Sequence, residues 1–146
     1  MATKLFTIGF TKKTASRFFG LLRDAGVRRV VDTRLNRGSQ LAGFSKEQDL
    51  PFFLEQICNA KYEKLPILAP TGEMLKAYKK KQMSWEEYAA KFQSLIGERK
   101  IENALSRDTM DHACLLCSED KPHKCHRRLV AEYLSEKWGG VEIVHL

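Results

Sequence analysis

The sequence lacks the features that mark membrane, secreted and low-complexity proteins. No run of apolar residues approaches the ~20 that a membrane-spanning helix needs. The first ten residues contain neither the long apolar segment nor the small-residue cleavage site of a secretory signal. Only nine glycines and four prolines occur in 146 residues, without a linker, an internal repeat or a break in composition. We therefore treat residues 1–146 as one domain and expect a cytoplasmic protein without a membrane partner.

Acidic residues are fewer than basic ones. The chain has 18 Asp and Glu against 25 Lys and Arg, which gives a formal net charge of +7. Hydrophobic residues make up 43% and aromatic residues 10%, a composition that excludes a disordered or collagen-like protein. The basic excess favours an anionic partner such as a nucleic acid, a nucleotide or a phosphorylated metabolite, without choosing among them.

Short apolar runs alternate with segments of helical periodicity. The predicted strands are 4–10, 27–33, 112–118 and 141–146, with a short extended piece at 62–68. The predicted helices lie between an N-cap at Thr14 and a C-terminal cap at Gly26, and at 46–60, 72–82, 85–106 and 122–138. This alternation predicts an α/β fold: a three-layer, Rossmann-like domain with a mostly parallel sheet and helices on both faces.

Three of the predicted strands are followed by segments that suit a ligand site, at 9–11, 32–39 and 117–128. Open α/β sheets bind their ligands beyond the carboxyl ends of the strands. Asp32 and Arg34 alternate along one strand end, so they form either an ion pair or a substrate-binding pair. Arg37 and Ser39 lie in a loop that suits a phosphate or a carboxylate. The sequence thus predicts an Arg-rich pocket with one helix N-terminus available for an anion.

Six cysteines and histidines lie between residues 112 and 126, which raises the question of a zinc site. Structural zinc pairs normally lie on a turn that brings both sulfurs to one metal. Cys114 and Cys117 instead fall in a predicted strand, where alternation sends their side chains to opposite faces. We therefore reject a four-ligand zinc site, interpret Cys114 as a small buried hydrophobic residue, and predict no metal and no cofactor.

Cys117 and Cys125 form a different pair, one at a strand end and the other at a helix start. They are a redox couple, or one is a thiolate stabilised by the helix N-terminus, or both are packing residues. The Cys-x5-Arg spacing of a cysteine-dependent phosphatase is absent, because His123 and Val130 stand where Arg is needed. A structural disulfide is not expected in a cytoplasmic protein.

The last predicted helix brings a histidine under the strand ends. At ~100° per residue, His126 falls on the inward, apolar face of that helix. Arg127 is predicted on the flank, and Arg128 on the solvent side as an ordinary surface charge. His126 is therefore either a hydrogen-bonded core residue or part of a site with Arg127 and the nearby Glu119.

Two further features have a structural and a functional interpretation. The three lysines at 79–81 are typical of a solvated helix face, with a nucleic-acid contact as the alternative. Tyr62 is typical of a core residue, with stacking on a base as the alternative.

Four motifs are similar to those of a known family. They are Thr7-Ile8-Gly9-Phe10, Asp32-Thr33-Arg34 with Arg37 and Ser39 behind it, Cys117-Ser118-Glu119 followed by Cys125-His126-Arg127, and the ending Val144-His145-Leu146. Together they resemble the domain of unknown function 488 (DUF488) family, with its T-I-G, D-V-R, C-x-E and C-H-R motifs. Thr33 stands where Val is usual, and the loop at 37–39 departs from the usual Pro-containing pattern.

The resemblance implies an α/β fold and no established activity. It also implies a site made of polar and sulfur-containing residues at the strand ends, namely Asp32, Arg34, Ser39, Cys117, Glu119, Cys125, His126 and Arg127.

The first functional hypothesis is a protein that binds a nucleotide or a nucleic acid. Arg34, Arg37 and Arg127 would hold phosphate. Glu119 and His126 would serve as general acid and base if the protein is an enzyme that acts on a base or a phosphodiester.

Two alternatives belong to other classes. One is a thiol-dependent or redox protein that uses Cys117 and Cys125. The other is a non-catalytic scaffold or interaction protein, in which the polar strand ends only stabilise the fold.

Overall fold

The computed structural model describes residues 2–35, 43–119 and 123–146. The strands are β1 (Thr3–Gly9), β2 (Arg29–Asp32), β3 (Lys61–Lys64), β4 (Ala113–Cys117) and β5 (Val141–His145). The α-helices are α1 (Ala15–Ala25), α2 (Leu50–Phe53), α3 (Gly72–Lys79), α4 (Trp85–Glu98), α5 (Ile101–Ala104), α6 (Arg107–Met110) and α7 (His126–Trp138). A π-helical turn (Leu54–Cys58) continues α2, and short 3₁₀ turns cover Gly43–Ser45 and Pro66–Leu68.

All five strands belong to one sheet in the order β3-β2-β4-β1-β5. Every neighbouring pair is parallel, and the central strand β4 pairs with β1 on one side and β2 on the other. A parallel sheet needs crossover connections, which the intervening helices supply. The predicted three-layer α/β fold is confirmed, and the sheet is entirely parallel.

The core lies on both faces of the sheet. On one face, Leu5 and Leu115 pack with Phe92 of α4 and Val130 of α7. On the other face, strand residues pack with residues of α1, α2 and the π-helical turn, and this cluster includes Phe6, Ile8, Val30, Phe18, Leu22, Leu50 and Leu54. Because alternate strand residues face opposite layers, strands buried on both sides read as nearly continuous apolar runs.

Local capping explains why α1 begins and ends where the sequence predicts. The Thr14 side chain accepts a hydrogen bond from the backbone N–H of Arg17, which satisfies one of the free donors of the first turn. Gly26 adopts the left-handed conformation with φ of 74°, and its N–H bonds to carbonyls of the last turn.

Four predicted helices have other bounds in the structure: the helix predicted at 72–82 ends at Lys79, the one predicted at 122–138 begins at His126, and two others differ more. The helix predicted at 46–60 begins at Leu50, because Pro51 has no N–H and is tolerated only in the first turn of a helix. The helix predicted at 85–106 is divided at Lys100, which has φ of 51°. A left-handed residue cannot continue a right-handed helix, so α4 ends at Glu98 and the short helix α5 follows.

None of the helices in the described ranges combines the length and the apolar character needed to cross a membrane.

Candidate functional site

The site lies where the chain reverses the direction in which it crosses the sheet. From β1 the chain crosses through α1 to β2, and from β4 it crosses through α7 to β5, so the two connections leave neighbouring strands on opposite faces. Gly9 and Cys117 are partners at the carboxyl ends of β1 and β4. Such a switch point leaves a crevice beyond the strand ends, and this is where open α/β sheets bind ligands.

Two cysteines meet at this crevice. Cys117 is the last residue of β4 and Cys125 is the N-cap of α7, and their sulfur atoms are joined at 2.10 Å with Cα atoms 7.5 Å apart. Both side chains are buried. A redox couple requires the sulfurs of Cys117 and Cys125 to come within bonding distance, and they do so here. A structural disulfide was not expected here, whereas an approach of the two cysteines as a redox couple was one of the alternatives; the sulfurs are joined because the fold brings the start of α7 directly over the end of β4.

Arg127 lies beneath this pair and is fully buried. Its Nη1 donates to the sulfur of Cys117 at 3.2 Å and to the carbonyl oxygen of Glu119 at 2.5 Å. Its Nε donates to the hydroxyl of Thr7 at 3.1 Å. The sequence predicted Arg127 on the helix flank without predicting its exposure, and the structure buries it because β1 and the segment after β4 cover the first turn of α7.

His126 reaches from the first turn of α7 to the end of β2. Its Nε2 lies 2.8 Å from the carbonyl oxygen of Thr33 and 3.0 Å from the Thr33 hydroxyl. The ring packs against Phe92 with 5.5 Å between ring centroids. Burial lowers the pKa of His126 from 6.5 to about 4, so the ring is neutral at pH 7. We call Cys117, Cys125, His126 and Arg127 the strand-end cluster.

A buried ion pair closes the end of β2. Arg34 donates from Nε and Nη2 to the two carboxylate oxygens of Asp32 at 2.9 and 2.8 Å, and from Nη2 to the carbonyl of Ser45 at 2.6 Å. The hydroxyl of Tyr62 donates to the same carboxylate at 2.6 Å. The guanidinium also lies over the ring of Phe10. Of the two predicted roles for Asp32 and Arg34, the ion pair is present, and both side chains are almost fully buried.

Glu119 contributes its backbone to the site. Its carbonyl lies against Gly9, and the hydroxyl of Thr11 donates to the neighbouring carbonyl of Ser118. Residue Glu119 itself is exposed. A glycine at position 9 permits this close approach, because any Cβ there would overlap the Glu119 carbonyl.

The remaining predicted residues lie elsewhere. Arg37 and Ser39 fall outside the described residues. Arg128 pairs with Glu132 at 3.6 Å on the outer face of α7, as a surface ion pair. Tyr62 is half-buried, and its hydroxyl is bound to Asp32.

Thr7, Gly9 and Thr33 lie in motifs that the sequence singled out, but no individual role was predicted for them, and Ser45 was not singled out at all. The available signal was a threonine within or directly after a short apolar strand, as at Thr7 in β1 and Thr33 after β2. Such a hydroxyl needs a hydrogen-bond partner from another element. The contribution of Ser45 comes from its backbone, which the side-chain pattern does not predict.

A metal-binding arrangement is present among three members of the cluster. One ligand atom each from Cys117, Cys125 and His126 lies within 4.8 Å of the other two. Cys114 is not part of this group and lies fully buried in the apolar layer on the opposite face of the sheet. Burial raises the pKa of the Cys114 thiol well above its usual range, as befits an inert core thiol.

Of three comparisons with known proteins, only the one with protein-family models gives a match. The comparisons with curated proteins and with solved structures found none. The family model described as domain of unknown function DUF488 matches residues 14–134. This range contains β2, β4, most of α7 and the whole strand-end cluster. On the basis of this match and of the motifs at the strand ends, the chain belongs to the DUF488 family.

Proposed function

We propose that this protein is a thiol-dependent redox protein, in which Cys117 and Cys125 interconvert between a dithiol and a disulfide. The observation that carries the proposal is the bond between the two sulfurs at the switch point of the sheet. Two surrounding features support it. The guanidinium of Arg127 donates to the sulfur of Cys117, and Cys125 stands at the N-cap position of a helix of 13 residues. Both favour thiolate over thiol, and thiolate is the nucleophile in disulfide exchange.

The reaction balances with a low-molecular-weight disulfide such as glutathione disulfide as the oxidant. The Cys117 thiolate attacks one sulfur of that disulfide and forms a mixed disulfide, and one glutathione thiolate leaves. The Cys125 sulfur then attacks Cys117, and the second glutathione leaves. Two electrons pass to the oxidant, and two protons end on the two released glutathione thiols. Glutathione in excess drives the same steps in reverse.

The test counts thiols in glutathione redox buffers. The full chain is equilibrated in buffers from reducing to oxidising, quenched in acid, unfolded and labelled with a maleimide that adds mass. We expect four labelled cysteines under reducing conditions and two under oxidising conditions, with Cys58 and Cys114 labelled throughout. The transition must be reversible.

Matched variants identify the pair. Cys117→Ser and Cys125→Ser should each abolish the reversible loss of two thiols, whereas Cys58→Ser should retain it. A wild-type protein that keeps four thiols in every buffer, or a loss that persists in Cys117→Ser, overturns the proposal.

A second candidate function is the binding of an anionic ligand, a nucleotide or a nucleic acid. It is favoured by a groove of about 400 Å³ lined by Leu35, Gly72, Leu75, Lys76, Lys79 and Lys80, which we call the lysine groove. Lys79 also lines an adjoining groove that includes Tyr78. All these lysines are exposed, and within the described part of the chain none of them forms an ion pair.

The lysine groove changes which cations we assign to a phosphate. The guanidinium groups of Arg34 and Arg127 are buried and donate to groups within the protein. The lysines, in contrast, are exposed at the surface beside Leu35 at the exit of β2, and they form no ion pair with the residues that the structure describes. We therefore assign the phosphate contacts of this second candidate to the groove. The contribution predicted for Arg37 and Ser39 stays a prediction.

The test measures binding of a fluorescent single-stranded DNA and RNA oligonucleotide across a range of salt concentrations. Binding should weaken as salt rises, because phosphate contacts release counterions. Lys79→Glu should weaken binding and flatten the salt dependence. Lys61→Glu carries the same charge change at the amino end of β3, at the opposite end of the strands from Leu35, and should have a smaller effect. Absence of binding, or equal effects of the two variants, overturns this candidate.

The other predicted functions stay predictions. Acid–base catalysis by Glu119 and His126 would require the neutral ring of His126, with its pKa of about 4, to act as a weak base. A scaffold without chemistry predicts that substitutions in the strand-end cluster change folding only. The thiol assay separates that outcome from the redox proposal.

A further inference from the structure

We propose that the dithiol form of the strand-end cluster is a Zn²⁺ site, with Cys117, Cys125 and His126 as its three protein ligands. This rests on the proposed function in one respect, because both sulfurs must leave the disulfide before they can bind a metal. The ligand atoms of the three residues all lie within 4.8 Å of one another. They therefore surround one point, as required by Zn²⁺, which binds thiolate at about 2.3 Å and imidazole at about 2.0–2.1 Å.

The hydrogen bonds of His126 determine which ring nitrogen is free. A carbonyl oxygen can only accept, so the contact of 2.8 Å between Nε2 and the carbonyl of Thr33 requires the proton on Nε2. The neutral ring then carries a lone pair on Nδ1. Histidines that bind metals commonly donate their other ring N–H to a backbone carbonyl, which orients the ring and fixes the tautomer. With Nδ1 of His126 as the ligand atom, the carbonyl of Thr33 would hold the Nε2–H in this way.

The charges around the site suit a divalent cation held by two thiolates. Two thiolates and one neutral imidazole compensate the charge of Zn²⁺. The buried guanidinium of Arg127, whose Nη1 is 3.2 Å from the sulfur of Cys117, donates to a ligand atom rather than competing for the metal. Sulfur and imidazole ligands select Zn²⁺ over Ca²⁺ and Mg²⁺, which prefer oxygen.

The number of ligands indicates the type of site. Within the described ranges, with their gaps at 36–42 and 120–122, the group has three members. Three protein ligands are typical of zinc sites that keep a fourth position for water or substrate, whereas structural sites use four. The rejected four-ligand site would have needed Cys114, which lies on the other face of the sheet. The geometry thus assigns a different set of ligands from the Cys-x2-Cys spacing.

The experiment uses the full chain, reduced with a phosphine, freed of metal and titrated with Zn²⁺ in competition with a chromophoric chelator. We expect one equivalent of Zn²⁺ to bind, with release of protons from the thiols. Co²⁺ in place of Zn²⁺ should give the visible absorption of a tetrahedral site and thiolate-to-metal charge transfer. Protein oxidised with glutathione disulfide should bind neither ion at this site.

Variants assign the ligands. Cys117→Ser, Cys125→Ser and His126→Gln should each lower the Zn²⁺ affinity by at least about tenfold, in line with the effects of altering groups around metal sites. Cys58→Ser and His123→Gln are matched controls outside the group and should bind like the wild type. Circular dichroism of each metal-free variant shows whether it is folded. A variant that does not fold is replaced by Cys117→Ala or Cys125→Ala.

The outcomes distinguish this proposal from the redox proposal. The metal site is overturned if the reduced wild-type protein binds no Zn²⁺, or if the three variants bind Zn²⁺ as tightly as the wild type. Either result overturns it even when the thiol count reports a reversible disulfide. One equivalent of Zn²⁺ that depends on all three residues supports the metal site. It does so even when no disulfide forms in glutathione buffers, a result that overturns the redox proposal alone.

Discussion

The backbone of Gly9 lies so close to the carbonyl of Glu119 that a Cβ atom at position 9 would be 1.5 Å from the carbonyl oxygen and 2.9 Å from Nη1 of Arg127. The contact is with backbone, which cannot rotate away as a side chain can. Gly9 thus permits the segment after β4 to close over the end of β1. It also keeps the Glu119 carbonyl in place as an acceptor for Arg127.

We therefore expect Gly9→Ala to lower the free energy of unfolding by about 2–4 kcal/mol, in the range for overpacked interiors and lost hydrogen bonds. Gly20→Ala is the matched control. Gly20 lies within α1, where an added Cβ meets nothing within 4 Å, and alanine there should stabilise the helix by up to about 1 kcal/mol. Urea denaturation of both variants gives the measurement. Equal stability of Gly9→Ala and the wild type would contradict the close contact.

The ion pair between Asp32 and Arg34 gives a second prediction. Removal of one partner leaves a buried charge without compensation, so Arg34→Met should lower the free energy of unfolding by about 3–5 kcal/mol. Arg128→Met breaks a partly exposed pair with Glu132 and should change the free energy of unfolding by less than about 1 kcal/mol. Chemical denaturation at pH 7 provides both values. Similar small effects would show that Arg34 is not a buried structural cation.

The lowered pKa of His126 predicts how stability depends on pH. The unfolded chain binds a proton at this group near pH 6.5, whereas the folded protein does so only near pH 4, because burial disfavours the charged ring. The contribution of His126 to the free energy of unfolding is therefore complete above pH 6.5 and is lost as the pH falls towards 4. The difference in pKa between the folded and unfolded states corresponds to about 3 kcal/mol. His126→Gln should remove this part of the pH dependence.

The measurement is the free energy of unfolding at several pH values between 4 and 7. His123→Gln replaces an exposed histidine three residues away and is the control. Its pH dependence should match that of the wild type. If the wild type and His126→Gln lose stability in parallel over this range, the lowered pKa of His126 is excluded.

Arg127 should control the reactivity of Cys117 in the reduced protein. A guanidinium that donates to the sulfur favours thiolate, so Arg127→Met should slow alkylation of Cys117 by iodoacetamide at pH 7 by about tenfold or more. Arg127→Lys keeps a positive charge and should slow it less. The rates are followed by mass spectrometry in a Cys125→Ser background, with Cys58 in the same molecules as the internal reference.

Because Arg127 is fully buried, loss of folding needs its own readout. A misfolded variant would expose Cys117 and Cys114 together and raise both alkylation rates. A slower Cys117 rate with an unreactive Cys114 therefore separates loss of thiolate stabilisation from loss of structure. An unchanged Cys117 rate in folded Arg127→Met would contradict the role of the guanidinium.

The sequence by itself determined how the strands alternate with the longer helices and therefore the fold class, but the short helix α6 was not predicted. The apolar runs of β1 and β4, the cap at Thr14 and the left-handed Gly26 act over a few residues, so local patterns contain their signal. The division of the helix predicted at 85–106 was harder to predict from the sequence. It depends on the left-handed conformation of Lys100, and lysine is not a residue type that indicates this conformation.

The sequence also selected most residues of the strand-end cluster, because polar and sulfur groups at the ends of apolar strands are conspicuous. Their roles depended on contacts between distant segments. Only the tertiary structure placed the first turn of α7 over β1 and β4, which buried Arg127 and joined Cys117 to Cys125. Burial decides whether an arginine binds a ligand or the protein itself. Burial depends on residues of other strands and helices, and the spacing of residues along the chain does not indicate which of these become neighbours.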